Sequence, residues 1–286
     1  MQSYEFAFLI FSLKFNNVLT RRVKYLYNIT HTMKSFKHSG TSGDLIYSLP
    51  IMKHFKGGSL FLHLGQIDWI GMHYYGNKPD PFHQGRMTLK DFEFLAPLLE
   101  AQPYITAVAT LDPRTTAITH NLDKFRPLFV GHPGNYVDCY CEAFDIRDEG
   151  MRTLIRTTPW LTVPTLTPTK KYVINRTARW LPPTLNPVWA EWKDGGADKE
   201  SVFVGLPEEH KAFEEATGWK LDYVPTANML ELASVIAACD QFIGNQSVAL
   251  SIAIGLGVDY ACEARTDLPL ERNECYFPNQ PNGEYF

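Results

Sequence analysis

The chain has no excess of one charge. Lys and Arg total 27 against 31 Asp and Glu, a net charge of -4 over 286 residues. That gives no clear nucleic-acid signal, because no basic excess is available to line a phosphate backbone. Cysteine is sparse, with five residues scattered along the chain. An odd number in a chain this long argues against a disulfide scaffold and for reduced thiols in a cytoplasmic protein. Cys139-Tyr-Cys141 has no second pair to complete a zinc site, and the nine histidines are dispersed, without an HExxH pattern. No Asp-x-Asp pair offers a metal, and no internal repeat suggests a solenoid. The N-terminal apolar run, Phe6 to Leu13, is far too short to cross a bilayer. Glu5 before it and Arg21, Arg22 and Lys24 after it do not fit a secretory signal.

What is present is core material. Hydrophobic residues make up 45% and charged residues 20%, enough to bury one large or two modest domains. Residues 1–33 read as an extension outside the main fold, with Met33 as an alternative start. Residues 6–27 could make a weak membrane-surface contact. Three Asn-x-Ser/Thr sequons, at Asn28, Asn175 and Asn245, are expected to be unmodified.

From Met33 the pattern becomes regular. A strand over 33–38 leads to a turn, Ser39 to Gly43, and a helix over 44–55 with Leu45, Leu49, Met52 and Phe55 at helical spacing. Pro50 predicts a kink or a late start there. A strand follows over 59–64, then a loop over 65–87, a helix over 89–101 and a buried strand over 104–110. The signals blur between 111 and 150. Pro159, Pro164 and Pro168 mark residues 158–170 as an interdomain linker. Beyond it, strands over 171–175, 201–205, 221–224 and 241–244 alternate with helices. One helix starts at Pro207, another is capped by Asn228 with Glu231 three residues on, and a third runs from Ser247 to Leu256. Helices alternating with short apolar strands predict parallel sheets. The fold class is therefore α/β: two Rossmann-like, doubly wound domains, 34–165 and 166–286, facing a cleft.

The strongest local signal is the apolar strand that delivers Gly244-Asn245-Gln246-Ser247 to a helix start. Such an end carries unpaired backbone N–H groups and a partial positive charge, both favourable to phosphate. An ordinary capped turn is the plainer alternative. At the other end of the chain, Ser42-Gly43-Asp44 opens a helix that contains Leu49-Pro50. Asp44 there reads either as a first-turn acid or as a base held at the sheet's edge. Asn175-Arg-Thr-Ala-Arg179-Trp180 supplies two guanidinium groups after the first strand of the second half. Either one could chelate phosphate oxygens, or both could sit on a solvated loop.

These stretches together resemble the family 9 glycosyltransferases, the ADP-heptose–lipopolysaccharide heptosyltransferases. That family carries near its C-terminus a strand ending in Gly, then Asp-(Ser/Thr)-Gly, a His and an Ala-rich helix. Here Gly244, Gln246, Ser247 and Ser251 stand at those positions, so the acid and the histidine are replaced. The family also opens with Gly-Asp and a helix containing Leu-Pro, matched by Gly43-Asp44 and Leu49-Pro50. The resemblance runs in order through residues 33–258. It implies the two-domain GT-B architecture and metal-independent, inverting transfer of a sugar from a nucleotide-diphosphate sugar to a glycan or other hydroxyl acceptor. No further cofactor is implied. Asp44 would be the catalytic base, and Arg176, Arg179, Glu209, Gly244, Asn245, Gln246 and Ser247 would bind the donor. The rival readings are a nucleotide-sugar epimerase or hydrolase, and a non-catalytic nucleotide- or glycan-binding module.

Overall fold

A computed structural model describes residues 34–65, 87–129, 135–164, 166, 170–178, 180–265 and 282–286. The expected extension 1–33, most of the expected loop and Arg179 lie outside them.

Two parallel sheets form. The first holds β1 (Ser35–Ser39), β2 (Gly58–His63), β3 (Ile105–Thr110) and β4 (His120–Asn121), in the order β3-β2-β1-β4. The second holds β5 (Tyr172–Asn175), β6 (Ser201–Phe203), β7 (Asp222–Tyr223), β8 (Gln241–Asn245), β9 (Asp259–Glu263) and β10 (Gly283–Tyr285), in the order β10-β9-β8-β5-β6-β7. Every neighbouring pair is parallel. In each sheet the chain winds outward from a central strand, returns and winds the other way. The reversal falls between β1 and β4 in the first sheet and between β5 and β8 in the second. Open α/β sheets bind ligands outside the C-terminal ends of their strands at such switch points.

The helices are α1 (Ser42–His54), α2 (Leu89–Glu100), α3 (Arg126–Phe129), α4 (Tyr136–Ala143), α5 (Glu149–Thr157), α6 (Val188–Asp194), α7 (Pro207–Thr217), α8 (Met229–Ala237) and α9 (Val248–Leu256). Caps set their starts. Asn228 accepts from the Glu231 N–H at 3.0 Å, and Ser247 accepts from that of Leu250 at 3.3 Å. Thr41 caps α1, so Ser42 and Gly43 belong to its first turn rather than to the expected flexible turn. Among the described residues, no helix is long and apolar enough to cross a membrane.

One hydrophobic core joins the two halves, from Phe36 of β1 to Cys262 of β9. Helices α1 and α9 pack against each other at its centre. Leu45 through Met52 are all buried, so α1 is covered on every side rather than on the single face read from its spacing. Pro50 lies inside α1. It has no N–H to give the Ile46 carbonyl four residues back. The indole N–H of Trp160 donates to that carbonyl instead, at 3.0 Å.

Trp160 belongs to the segment expected to be a linker. Its described part is anchored to both halves. The Trp160 and Leu161 N–H groups both reach the Gly255 carbonyl at 2.8 Å. The Tyr104 hydroxyl donates to the Trp160 carbonyl, and Gln102 receives the Thr162 N–H. A Cβ on Gly255 would lie 2.8 Å from Leu161 and 2.9 Å from the Trp160 indole nitrogen. The small residue in α9 therefore makes room for this segment.

One other expectation is corrected. Strand β3 is not buried throughout. It lies at the sheet edge, with Thr106 and Ala107 exposed. Trp189, in the first turn of the short helix α6, is fully buried in a second core with Ile174, Phe203, Phe213 and Trp219.

Candidate active site

A cleft of about 320 Å³ opens where α1 and α9 begin. From the first half it is lined by Thr41, Ser42, Gly43, Asp44, Tyr47 and Tyr136, and from the second by Thr177, Trp180, Gln246, Ser247 and Val248. Both helices follow a strand at a switch point, so two helix N-termini face one space. Their first-turn N–H groups lack intrahelical acceptors, and their dipoles present positive ends. Tyr47 and Tyr136 stack within the cleft, with ring centroids 5.1 Å apart. Trp180 enters with φ at +67°. A bulky residue rarely adopts that left-handed backbone, which costs on the order of 1–3 kcal/mol and concentrates at functional sites.

Asp44 is in the first turn of α1, and its carboxylate faces the cleft. Arg126 Nη1 holds one of its oxygens at 3.3 Å. The same guanidinium donates from Nε to Asp123 at 3.1 Å and from Nη2 to the Ser39 carbonyl. Asp123, fully buried, also accepts from the backbone N–H and hydroxyl of Ser39 and pairs with Lys37 at 3.7 Å. Burial pushes the Asp123 carboxyl above its ordinary range, and the Arg126 charge opposes this. This salt-bridge cluster forms inside the protein, because β4 delivers it beside the end of β1. Tyr140 closes the arrangement by donating to the Asp44 carbonyl at 2.9 Å and meeting His38 Nε2 at 3.0 Å. Burial, with Arg126 and Lys37 adding to it, keeps His38 neutral well below the usual histidine range.

Among the described residues, the second half contributes no charged side chain to the cleft lining. Gln246 is 6% exposed, and its amide nitrogen is buried without a hydrogen-bond partner among the described residues. Ser247 caps α9 and also donates to Asn175 Oδ1 at 3.0 Å. Asn175 in turn donates to the Val204 carbonyl at 2.9 Å. Asn245 is fully buried and does not line the cleft. Its side chain accepts from the Thr177 N–H and donates to the Thr177 carbonyl, both at 2.9 Å, so it shapes the loop after β5. Gly244 is required by packing, since a Cβ there would lie 2.1 Å from the Asn175 carbonyl.

Arg176 does not line the cleft. Its Nε meets Glu263 at 2.5 Å and its Nη2 at 3.2 Å, and the Trp189 indole donates to the same carboxylate at 2.9 Å. The expectation that Arg176 points to the start of α9 is therefore corrected: a buried carboxylate holds it. Arg179, the alternative, lies outside the described residues. Glu209 is not in the cleft lining either, because its carboxylate receives the Leu206 N–H at 3.0 Å at the start of α7. Burial raises its carboxyl above the ordinary range. A Cβ on Gly205 would lie 2.5 Å from Asn175 Nδ2 and 2.8 Å from Glu209 Oε2, which places Glu209 behind Asn175 and Ser247. Ser251, at the family's histidine position, is fully buried and donates to the Val248 carbonyl at 2.7 Å.

Sequence reasoning gave no site role to Tyr47, Tyr136 or Thr177 of the cleft lining and did not foresee the Arg126–Asp44 pair. The box Asn135-Tyr-Val-Asp138, in which each end bonds the other's N–H, was a readable signal for Tyr136 at a helix start.

No protein-family model matches this sequence, and no curated protein sequence matches it. Solved structures do match. A family 9 glycosyl transferase from Veillonella parvula DSM 2008 superposes with a TM-score of 0.59 at 13% identity, covering 89% of this chain and 86% of that one. The ADP-heptose lps heptosyltransferase II of E. coli superposes with a TM-score of 0.52, also at 13% identity, covering 89% and 90%. The likeness is one of fold. This chain has the two-domain α/β architecture of family 9 glycosyltransferases.

Proposed function

We propose that this chain is a glycosyltransferase that moves a sugar from a nucleotide-diphosphate sugar to a hydroxyl of a glycan or other acceptor. The observation that carries the reading is the convergence of Asp44 and two helix N-termini on one cleft between two switch points. Residues 34–165 would hold the acceptor and residues 166–286 the donor. Asp44 would take the proton from the acceptor hydroxyl as that oxygen attacks the anomeric carbon from the face opposite the leaving diphosphate, which inverts the centre. The start of α9, with Ser247 and Gln246, would bind the diphosphate. Its N–H groups and dipole supply fixed positive potential where negative charge develops, so transfer needs no metal. Arg179 would add a guanidinium from the loop after β5.

The test is release of nucleoside diphosphate from a panel of ADP-, GDP-, UDP- and dTDP-sugars, with and without hydroxyl acceptors. Acceptor-dependent release supports transfer. Acceptor-independent release, with free sugar formed, would make the chain a hydrolase.

A second reading, a binding module without turnover, is favoured by Ser251. Its hydroxyl is spent on its own helix, so no side chain from that position reaches the cleft. Tight nucleotide binding with no release under any acceptor would establish it.

A further inference from the structure

Asp123 is a charged residue in a place that disfavours charge. It is fully buried and does not line the cleft, and burial pushes its carboxyl above the ordinary range. Both its oxygens are occupied. Oδ1 accepts from the Ser39 hydroxyl at 2.9 Å and from Arg126 Nε at 3.1 Å. Oδ2 accepts from the Ser39 N–H at 3.1 Å, with Lys37 Nζ 3.7 Å away. Stability alone does not call for such a pair, because apolar residues of similar volume often replace a buried ion pair without loss. What the pair does fix is the guanidinium. Nε is held by Asp123, Nη2 by the Ser39 carbonyl, and the Phe125 ring lies 4.9 Å from the guanidinium carbon. Gly40 closes this seat, since a Cβ there would collide with Nη2. Nη1 is thereby brought to Asp44 Oδ2, at 3.3 Å.

We infer that Asp123 is a positioning residue for sugar transfer: through Arg126 it holds the Asp44 carboxylate with one oxygen pinned and the other left for the acceptor hydroxyl. The inference rests on the reading of Asp44 as the base and deepens it. Among the described residues, Asp44 Oδ1 has no hydrogen-bond partner. The acceptor proton passes to that oxygen as the acceptor oxygen bonds the anomeric carbon and the bond to the diphosphate breaks. A base must lie within hydrogen-bond reach of the proton it takes, and misplacing a group by about 1 Å can cost roughly 100-fold. An untethered Asp44 would sample several rotamers, and the clamp removes that freedom. Its planar fork meets two carboxylates and a carbonyl at once, which an ammonium group on a flexible stem does not do. Asp123 itself takes no proton from the acceptor, being buried behind Arg126 with both oxygens occupied.

The test uses the whole chain and steady-state release of nucleoside diphosphate, with the ADP-, GDP-, UDP- or dTDP-sugar and hydroxyl acceptor that wild type turns over fastest. Asp123→Asn keeps the side-chain size and removes the charge that anchors Arg126. Arg126→Lys keeps the charge and removes the fork. Each is made alone and in combination with Asp44→Asn, and rates are taken per folded molecule below the melting temperature of every variant. Asp123→Asn and Arg126→Lys should each lower kcat about 10- to 100-fold, the range for a misplaced reacting group, with the donor KM unchanged. In the Asp44→Asn background neither should lower kcat further, because residues that act as one unit are not additive. A purely structural role would move the melting temperature without producing this pattern.

Wild-type kcat in Asp123→Asn overturns the inference and leaves the transfer reading standing. So does an equal loss of kcat in the wild-type and Asp44→Asn backgrounds, which would make Asp123 a residue of the fold only. A raised donor KM with kcat unchanged would move the cluster to substrate binding and overturn the inference as well. If Asp123→Asn does not fold, Arg126→Lys carries the test by the same criteria. Full activity in Asp44→Asn would remove Asp44 as the base, and no release by wild type with any pair would remove transfer itself. In either case the inference fails with the reading beneath it.

Discussion

Helices α1 and α9 are built alike and equipped differently. Each follows a strand at a switch point, starts on a hydroxyl cap, is buried almost throughout and opens onto the same cleft. At α1 the first turn carries a carboxylate, backed by a guanidinium, a second carboxylate and an ammonium group. At α9 the first turn is uncharged, and the Arg176–Glu263 ion pair does not line the cleft. Under the proposed function, one scaffold would provide a proton acceptor on one side and a neutral anion seat on the other. The comparison also separates the two buried arginines. Arg126 serves a residue of the cleft, whereas Arg176 serves the core beneath it.

The largest effect is expected from Asp44→Asn. It keeps the size of the side chain and removes its basicity, so kcat should fall by about 10²- to 10⁴-fold. Donor affinity and melting temperature should stay nearly unchanged. Full activity, or a loss above about 1 kcal/mol of stability, a typical capping contribution, would make Asp44 structural.

Next come the two arginines. Arg126→Ala leaves Asp123 buried without its guanidinium, and Arg176→Ala does the same to Glu263. Each should cost about 3–5 kcal/mol in denaturant unfolding, the usual loss on breaking a buried pair. Arg176→Met with Glu263→Leu should recover much of that loss and leave nucleotide binding intact. A double variant that folds but no longer binds nucleotide would return Arg176 to the donor site.

A smaller effect is expected where the halves are joined. Trp160→Phe removes the donor to Ile46 and exposes the gap left by Pro50. A stability loss of about 1–3 kcal/mol is expected, the cost of an unsatisfied buried carbonyl. No change would mean that Pro50 is accommodated in another way.

The mildest test is pH. Burial lowers the folded pKa of His38 well below 6.5, so between those two values the unfolded chain binds more protons than the folded one. Stability therefore rises with pH across that window and falls as pH drops below about 6.5, with a limiting slope near 1.4 kcal/mol per pH unit for one proton. His38→Gln should flatten this slope. His63 and His120 shift in the same direction from less buried positions and should contribute less.

The caps and most strands of the second half were legible in the sequence because their signals are local. Pro207 begins α7, Asn228 begins α8 and Ser247 begins α9 as their spacing indicated. Asp44 and Ser247 were read as cleft residues because each sits between a strand and a helix. Partners distant in sequence were not legible. Arg126 reaches Asp44 across 82 residues and Arg176 reaches Glu263 across 87, and neither pairing leaves a periodic trace. Strand β9 escaped because it ends in Glu263, a residue that reads as surface until Arg176 and Trp189 are seen to surround it. Helix α6 escaped because Pro182, Pro183 and Pro187 before it read as turn signals, while Trp189 is held by long-range packing.

The central claim is that the cleft between α1 and α9 is a nucleotide-sugar site. The most direct measurement is unfolding stability across the panel of nucleotide-sugars. At a concentration 100 times its Kd, the true donor should add about 2.7 kcal/mol to wild type. It should add as much to Asp44→Asn, whose change lies on the acceptor side, and clearly less to Gln246→Met. No gain with any member of the panel would contradict the claim, as would a gain that is identical in Gln246→Met and lost in Asp44→Asn.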